Sequence, residues 1–154
     1  MSTAPLDDQI CFALHAASRA AVGCYRESLD ELGLTYPQYV TLLALWERDG
    51  QSVRELGEAL QLDSGTLSPL LRRMAEADLV ERRREGRDGR AVTVHLTDAG
   101  RALESQVAAV QQRVYGALQM TPEELATLRA LAQRFSETTR TTTRTTDRTT
   151  KEIS

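Results

Sequence analysis

The chain has 154 residues and a mass of 17.1 kDa, room for one domain of ordinary size, and its 41% hydrophobic content can fill a core without cross-links. Its 19 Lys and Arg against 22 Asp and Glu leave a net charge of -3, which excludes a globally basic nucleic-acid binder and leaves only a local basic patch open. Two cysteines, Cys11 and Cys24, are too few for a disulfide framework and lack metal-site spacing, and no apolar run nears the ~18 residues of a membrane span. The expectation is a cytoplasmic protein with reduced thiols, no metal or cofactor and no membrane partner. The start MSTAPLDDQICFALHAAS carries no basic leader ahead of its apolar residues.

From Asp7 to Leu32 the residues Ile10, Leu14, Ala17, Ala21 and Cys24 recur at helical steps and predict a first helix, capped by Asp7 and stopped by Gly33. Thr35 and Gln38 form a capping box before the apolar run from Tyr39 to Trp46, a second helix ending near Asp49 and Gly50. Ser52 and Glu55 repeat that spacing ahead of a short third helix. Asp63 caps a fourth, with Leu67, Leu70, Leu71 and Met74 inward and Ser64, Ser68, Arg72 and Arg73 outward. Residues 80–85 and 91–96 read as two strands of a hairpin. Thr97 begins one long helix with Leu103, Val107, Val110 and Val114 inward, and Thr121, Pro122 and Glu124 start a last helix that fades near Glu137. The remaining segment, 138–154, holds nine threonines among Arg140, Arg144, Arg148 and Lys151 and is expected to be disordered.

The fold expected is mainly α with a small β-hairpin wing: a winged helix-turn-helix over 35–96, with helical regions 6–34 and 97–137 forming a dimer. A short capped helix, a tight connection and a second helix beginning with small polar residues fit the major groove of DNA, about 12 Å wide. Ser64, Thr66 and Ser68 are short enough to let that helix sit deep, and Arg72 and Arg73 reach outward. Between Arg82 and Arg90 five arginines face two acids, so the basic charge concentrates at the wing. Arg82 and Arg84 serve equally well as an edge-strand guard against pairing, whereas Arg87 and Arg90, on the loop, are the better phosphate contacts. His95 carries no signal.

The stretch LDSGTLSPLLRRMAEADLVERRREGRDGRAVTVHLTDAGRAL resembles the winged helix of MarR-family regulators, whose wing carries an Asp-x-Arg element, here Asp88-Gly89-Arg90. The resemblance implies that Asp88 orients Arg90 for a minor groove, where a narrow electronegative cleft attracts arginine. LDDQICFALHAASRA and DELGLTYPQYVTLLALWE resemble the organic-hydroperoxide-resistance branch of that family. In that branch a cysteine early in the first helix senses organic hydroperoxide and two tyrosines hydrogen-bond its thiolate; the matching positions are Cys11, Tyr25 and Tyr36. His15 stands where the branch often has a third tyrosine, and reads as an interface or surface histidine.

Helix geometry constrains that reading. Cys11 and Tyr25 lie 14 residues apart on one predicted helix, roughly 21 Å at 1.5 Å per residue, so any contact must come from a second chain. The same arithmetic excludes an intrachain disulfide between Cys11 and Cys24. Cys24 reads as an inert core residue. The positive end of the helix dipole favours a nucleophilic Cys11 thiolate, while Asp7 and Asp8 oppose it. The resulting expectation is a homodimeric repressor, not an enzyme. It binds double-stranded operator DNA when reduced and leaves when organic hydroperoxide oxidises Cys11, which a small cellular thiol then caps. The alternatives are a repressor released by a reversible phenolic ligand and, in another class, a thiol peroxidase.

Overall fold

Side chains that satisfy the first amides of most of the helices set their boundaries. The computed structural model describes residues 5–85 and 91–152, with side chains for 5–84 and 92–139, and divides into two compact units, Met1–Ala117 and Leu118–Ser154. In the first unit, helix α1 covers Ile10–Glu31, α2 Tyr36–Glu47, α3 Val53–Leu60, α4 Ser64–Glu76, α5 Asp98–Ala102 and α6 Glu104–Ala117. The capping boxes at Thr35/Gln38 and Ser52/Glu55 are both present, Asp63 accepts the Thr66 amide, and Thr97 accepts the Gly100 amide. Gly33, at φ +66°, takes the left-handed conformation that ends α1.

Two strands, β2 Val80–Glu85 and β3 Ala91–Leu96, pair antiparallel with Arg82 opposite Val94, as the hairpin expectation has it. The structure adds a two-residue strand, β1 Gln51–Ser52, which pairs with β3 to give the order β1-β3-β2. Val80, Val94 and Leu96 are buried, and β2 contacts α4 while β3 contacts α2, so the sheet closes one side of the core built on Leu42, Leu45, Leu56, Leu71 and Met74. Burying each such side chain contributes about 1.5–3 kcal/mol.

Four expectations need correction. Asp7 does not cap α1: it sits in a separate 3-10 turn, Leu6–Asp8, closed by bonds from Asp8 N to Pro5 O and Gln9 N to Leu6 O, both 3.1 Å. Gln9 is extended and α1 begins only at Ile10. Cys24 is exposed, not core, and Ile10 and Val22 are exposed with it, so the apolar stripe of α1 finds no cover along most of its length. The single helix expected after Thr97 is broken at Leu103. The break falls where the carbonyl of Gly100, which an unbroken helix would offer to residue 104, receives the Trp46 indole N–H at 3.1 Å. In the second unit, α7 Pro122–Glu152 starts with the expected Thr121/Glu124 capping box but does not fade at Glu137. Its backbone stays helical through the threonine-rich segment, where the Thr138 and Thr139 hydroxyls donate to the carbonyls of Arg134 and Phe135 at 2.9 Å. Along this helix Leu128, Leu131 and Phe135 are exposed.

No helix among the described residues is long and apolar enough to cross a membrane, and among them no cluster of His, Cys, Asp or Glu could hold a metal ion.

Candidate functional site

The connection between α3 and α4 is tight because Gln61 adopts the left-handed conformation, φ 58°, and the Leu62 amide bonds the Gly57 carbonyl at 2.9 Å. At Gly57 a Cβ would lie 3.0 Å from the Leu62 carbonyl and 3.6 Å from Leu67, so the glycine lets the two helices close. Their starts are fixed by charged caps. Hydrogen bonds from the Ser52 hydroxyl and amide, with Arg48 beside them, hold the Glu55 carboxyl at about 2, and the Thr66 amide and hydroxyl hold Asp63 below the usual carboxylate range.

On α4, Leu67, Leu70, Leu71 and Met74 are buried, while Ser64, Thr66, Ser68, Arg72 and Arg73 are all exposed. Two details modify that set. The Thr66 hydroxyl is engaged by Asp63 at 3.0 Å, which makes it part of the cap as well as of the surface. Arg72 pairs with Glu76 at 3.8 Å, an exposed contact of little strength. In the wing, Arg82, Arg83 and Arg84 are exposed and Arg83 pairs with Glu81. Arg87, Asp88 and Arg90 lie outside the described residues.

One anchor of the wing escaped sequence reasoning, which reads Asp49 only as the end of a helix. Its carboxylate accepts the Gly50 and Leu96 amides, each at 2.9 Å, and the Arg101 guanidinium at 2.5 Å. Burial pushes this carboxyl up, but the Leu96 amide, Arg101 and the Gly50 amide outweigh it and leave it below its ordinary value. Asp49 thus ties the end of α2 to the base of β3 and to α5. Only the long-range pairing reveals it.

At the thiol site the structure separates what one chain cannot join. Cys11 stands in the first turn of α1 and Tyr25 on the same uninterrupted helix, so about 21 Å separates them, and Cys11 is exposed. Fourteen residues turn a helix through nearly whole revolutions, placing Cys11 and Tyr25 on one face to within about 40°. The two expected tyrosines do come together: the Tyr25 and Tyr36 rings meet edge-on with centroids 5.3 Å apart. Tyr39, read from the sequence only as an apolar residue, completes a three-ring cluster at 5.2 Å from Tyr25 and 5.7 Å from Tyr36. Burial first, then the neighbouring tyrosines, pushes the Tyr25 phenol above its ordinary value; burial and the neighbours Tyr39 and Tyr115 do the same for Tyr36. Both phenols therefore keep their protons and remain hydrogen-bond donors at any physiological pH. His15 is exposed.

The family described as transcriptional regulator SarA/Rot matches residues 24–107. The organic hydroperoxide resistance transcriptional regulator of Bacillus subtilis is 39% identical over 133 residues, covering 86% of this chain and 90% of that protein. The HTH-type transcriptional regulator TtmR of Methylorubrum extorquens is 46% identical over 123 residues, covering 80% of this chain and 63% of that longer protein. Among solved structures, reduced AbfR bound to DNA, a protein of Staphylococcus epidermidis, superposes with a TM-score of 0.75 at 31% identity, covering 88% of this chain and 92% of that one.

Proposed function

The chain belongs to the MarR family of winged helix-turn-helix transcription regulators, and from that premise we propose that it is a homodimeric repressor whose operator binding is switched off by organic hydroperoxide at Cys11. The observation that carries this reading is the placement of Cys11 and Tyr25 on one face of α1, at opposite ends of an exposed stretch, with Tyr36 at the start of α2 packed on Tyr25. Residues 11 and 25 lie equally far from Ser18. A twofold axis crossing α1 near Ser18 brings each Cys11 against Tyr25 of the partner subunit, and Tyr36, packed on Tyr25, arrives with it. Two sensing sites form at once, and the uncovered apolar residues of α1 gain a partner. Similarity to a regulator named for organic hydroperoxide resistance, and to one captured on DNA in its reduced form, supports the same assignment.

The chemistry follows from the thiol. The Cys11 thiolate attacks the outer oxygen of a hydroperoxide, the O–O bond breaks, and the alcohol leaves as Cys11 becomes a sulfenic acid. A small cellular thiol then condenses with it, releasing water and leaving a mixed disulfide. The adduct cannot accept the two phenol donors as the thiolate did, so the subunits change their crossing and the two copies of α4 lose the spacing of one DNA turn, roughly 34 Å. The direct test is a gel shift with DNA from upstream of the chain's own gene, with and without cumene hydroperoxide, followed by intact mass of the released protein. Release accompanied by a mass increase at Cys11 supports the reading; release with both thiols unmodified overturns it.

DNA contact is proposed through Ser64, Thr66, Ser68, Arg72 and Arg73 of α4 and through Arg87 and Arg90 of the wing, with Asp88 orienting Arg90. Arg90→Ala is expected to weaken operator binding and to flatten the dependence of log affinity on log salt by about 0.9 for each phosphate that the arginine neutralises. An unchanged slope and affinity would show that the wing does not touch DNA.

A further inference from the structure

The third ring of the tyrosine cluster carries a polar contact that neither DNA reading nor thiol chemistry requires. Tyr39 is 2% exposed, and its hydroxyl receives a hydrogen bond from the Gln111 side-chain amide at 3.1 Å, joining α2 to α6. A buried hydroxyl left without a partner destabilises the fold, and a phenylalanine would fill the same space without that demand. The Tyr39 ring packs against the Tyr25 ring with centroids 5.2 Å apart, and, after burial, Tyr39 is among the groups that push the Tyr25 phenol above its ordinary value. A phenol oxygen has two lone pairs and one proton. Whatever occupies the Tyr39 lone pairs therefore decides how strongly Tyr39 competes for the proton of Tyr25.

We propose that Gln111 is a positioning residue of the peroxide sensor. By donating its N–H to the Tyr39 oxygen, it weakens that oxygen's hold on the Tyr25 proton and leaves the Tyr25 hydroxyl free to donate to the Cys11 sulfur of the partner subunit. The inference rests on the reading of Cys11 and Tyr25 given above. The other titratable groups around the cluster do not undo it: Tyr36 and Tyr115 are phenols, and the ion pair between α6 and α1, Arg113 with Glu31 at 3.7 Å, is exposed and internally compensated. If the Gln111 donor is removed, Tyr39 becomes a better acceptor, draws the Tyr25 proton inward, and the thiolate across the interface keeps only one of its two phenol donors.

Gln111→Glu tests this with almost no change of shape, because a carboxylate accepts from Tyr39 and cannot donate to it. Cys11 alkylation by iodoacetamide at neutral pH is expected to slow about tenfold, with its pH profile moved to higher pH and oxidation by cumene hydroperoxide slowed in parallel. Reduced-state operator affinity should stay at the wild-type value. Gln111→Lys, which keeps a donor, should retain near wild-type reactivity. Tyr39→Phe, which removes the competing oxygen, should react at least as fast as wild type and should restore speed to the Gln111→Glu protein in the double variant. Wild-type kinetics in Gln111→Glu, or a slowed Tyr39→Phe, would overturn the inference while the sensor reading stands. A wild-type protein whose Cys11 does not react with hydroperoxide would instead overturn the sensor reading itself.

Discussion

Gly100→Ala is expected to destabilise the protein by about 3 kcal/mol, with a fall in Tm of about 10 °C and loss of operator binding at temperatures where the wild type still binds. A Cβ at this position would stand 2.1 Å from the Leu79 carbonyl oxygen and 3.3 Å from Leu96 Cδ2. The oxygen cannot retreat, because it belongs to the backbone just before β2 and already accepts the Thr97 amide at 3.2 Å. Nor can α5 move away freely. The Gly100 amide is held by the Thr97 hydroxyl at 3.0 Å, the Gly100 carbonyl by Trp46, and the next residue, Arg101, by Asp49. Any shift that admits the methyl group therefore breaks a cap, an indole hydrogen bond or the clamp that anchors β3. Gly116→Ala is the control. It lies within α6, nothing stands within 4 Å of its added Cβ, and replacing a helical glycine there should be neutral or stabilising by up to about 1 kcal/mol. Thermal unfolding of the two variants side by side checks the contrast, and equal Tm values would mean that α5 and β2 are not packed as described.

The same region shows which parts of the fold a sequence carries openly. Thr35 with Gln38, Ser52 with Glu55, Asp63, and Thr121 with Glu124 are short-range devices, closed within three residues, and each stands where its residue types put it. The two paired strands are equally legible, since the apolar alternation of residues 92–96 and the glycines at 86 and 89 are local signals in the sequence. What escapes depends on partners far along the chain. The strand β1 is only two residues long and exists because β3 pairs with it. The interruption at Leu103 follows from Trp46, 54 positions before the carbonyl it binds, and the Asp49 clamp from Leu96 and Arg101. The stripe on α1 has the expected period and lacks the expected cover, because periodicity tells which side of a helix is apolar and not what lies against it. Tyr25 and Tyr36 stand out by likeness to a family, whereas Tyr39 and Gln111 give no sign: one looks like core, the other like solvated surface. Their pairing spans 72 positions.

Cys11→Ser should bind operator with nearly wild-type affinity and show no release at hydroperoxide concentrations that free the wild type completely. The two halves of this expectation have separate physical grounds. In the proposed site serine would keep the volume and an acceptor oxygen for the two phenols, so the reduced arrangement of the subunits should persist. A serine hydroxyl stays protonated at neutral pH, and its oxygen has no oxidation step comparable to the conversion of thiolate to sulfenic acid, so the trigger is absent. Cys24→Ser should behave like the wild type even though Cys24 is also exposed. Thirteen residues turn α1 so that Cys24 faces about 140° away from Cys11, off the face that carries Tyr25, and no phenol pair converges there. Gel shifts of the two variants across a hydroperoxide titration read both outcomes directly. Full response in Cys11→Ser with no response in Cys24→Ser would reverse the roles of the two thiols. A response retained in both and in the double variant Cys11→Ser/Cys24→Ser would point to a ligand bound reversibly, since no thiol would then be needed for release.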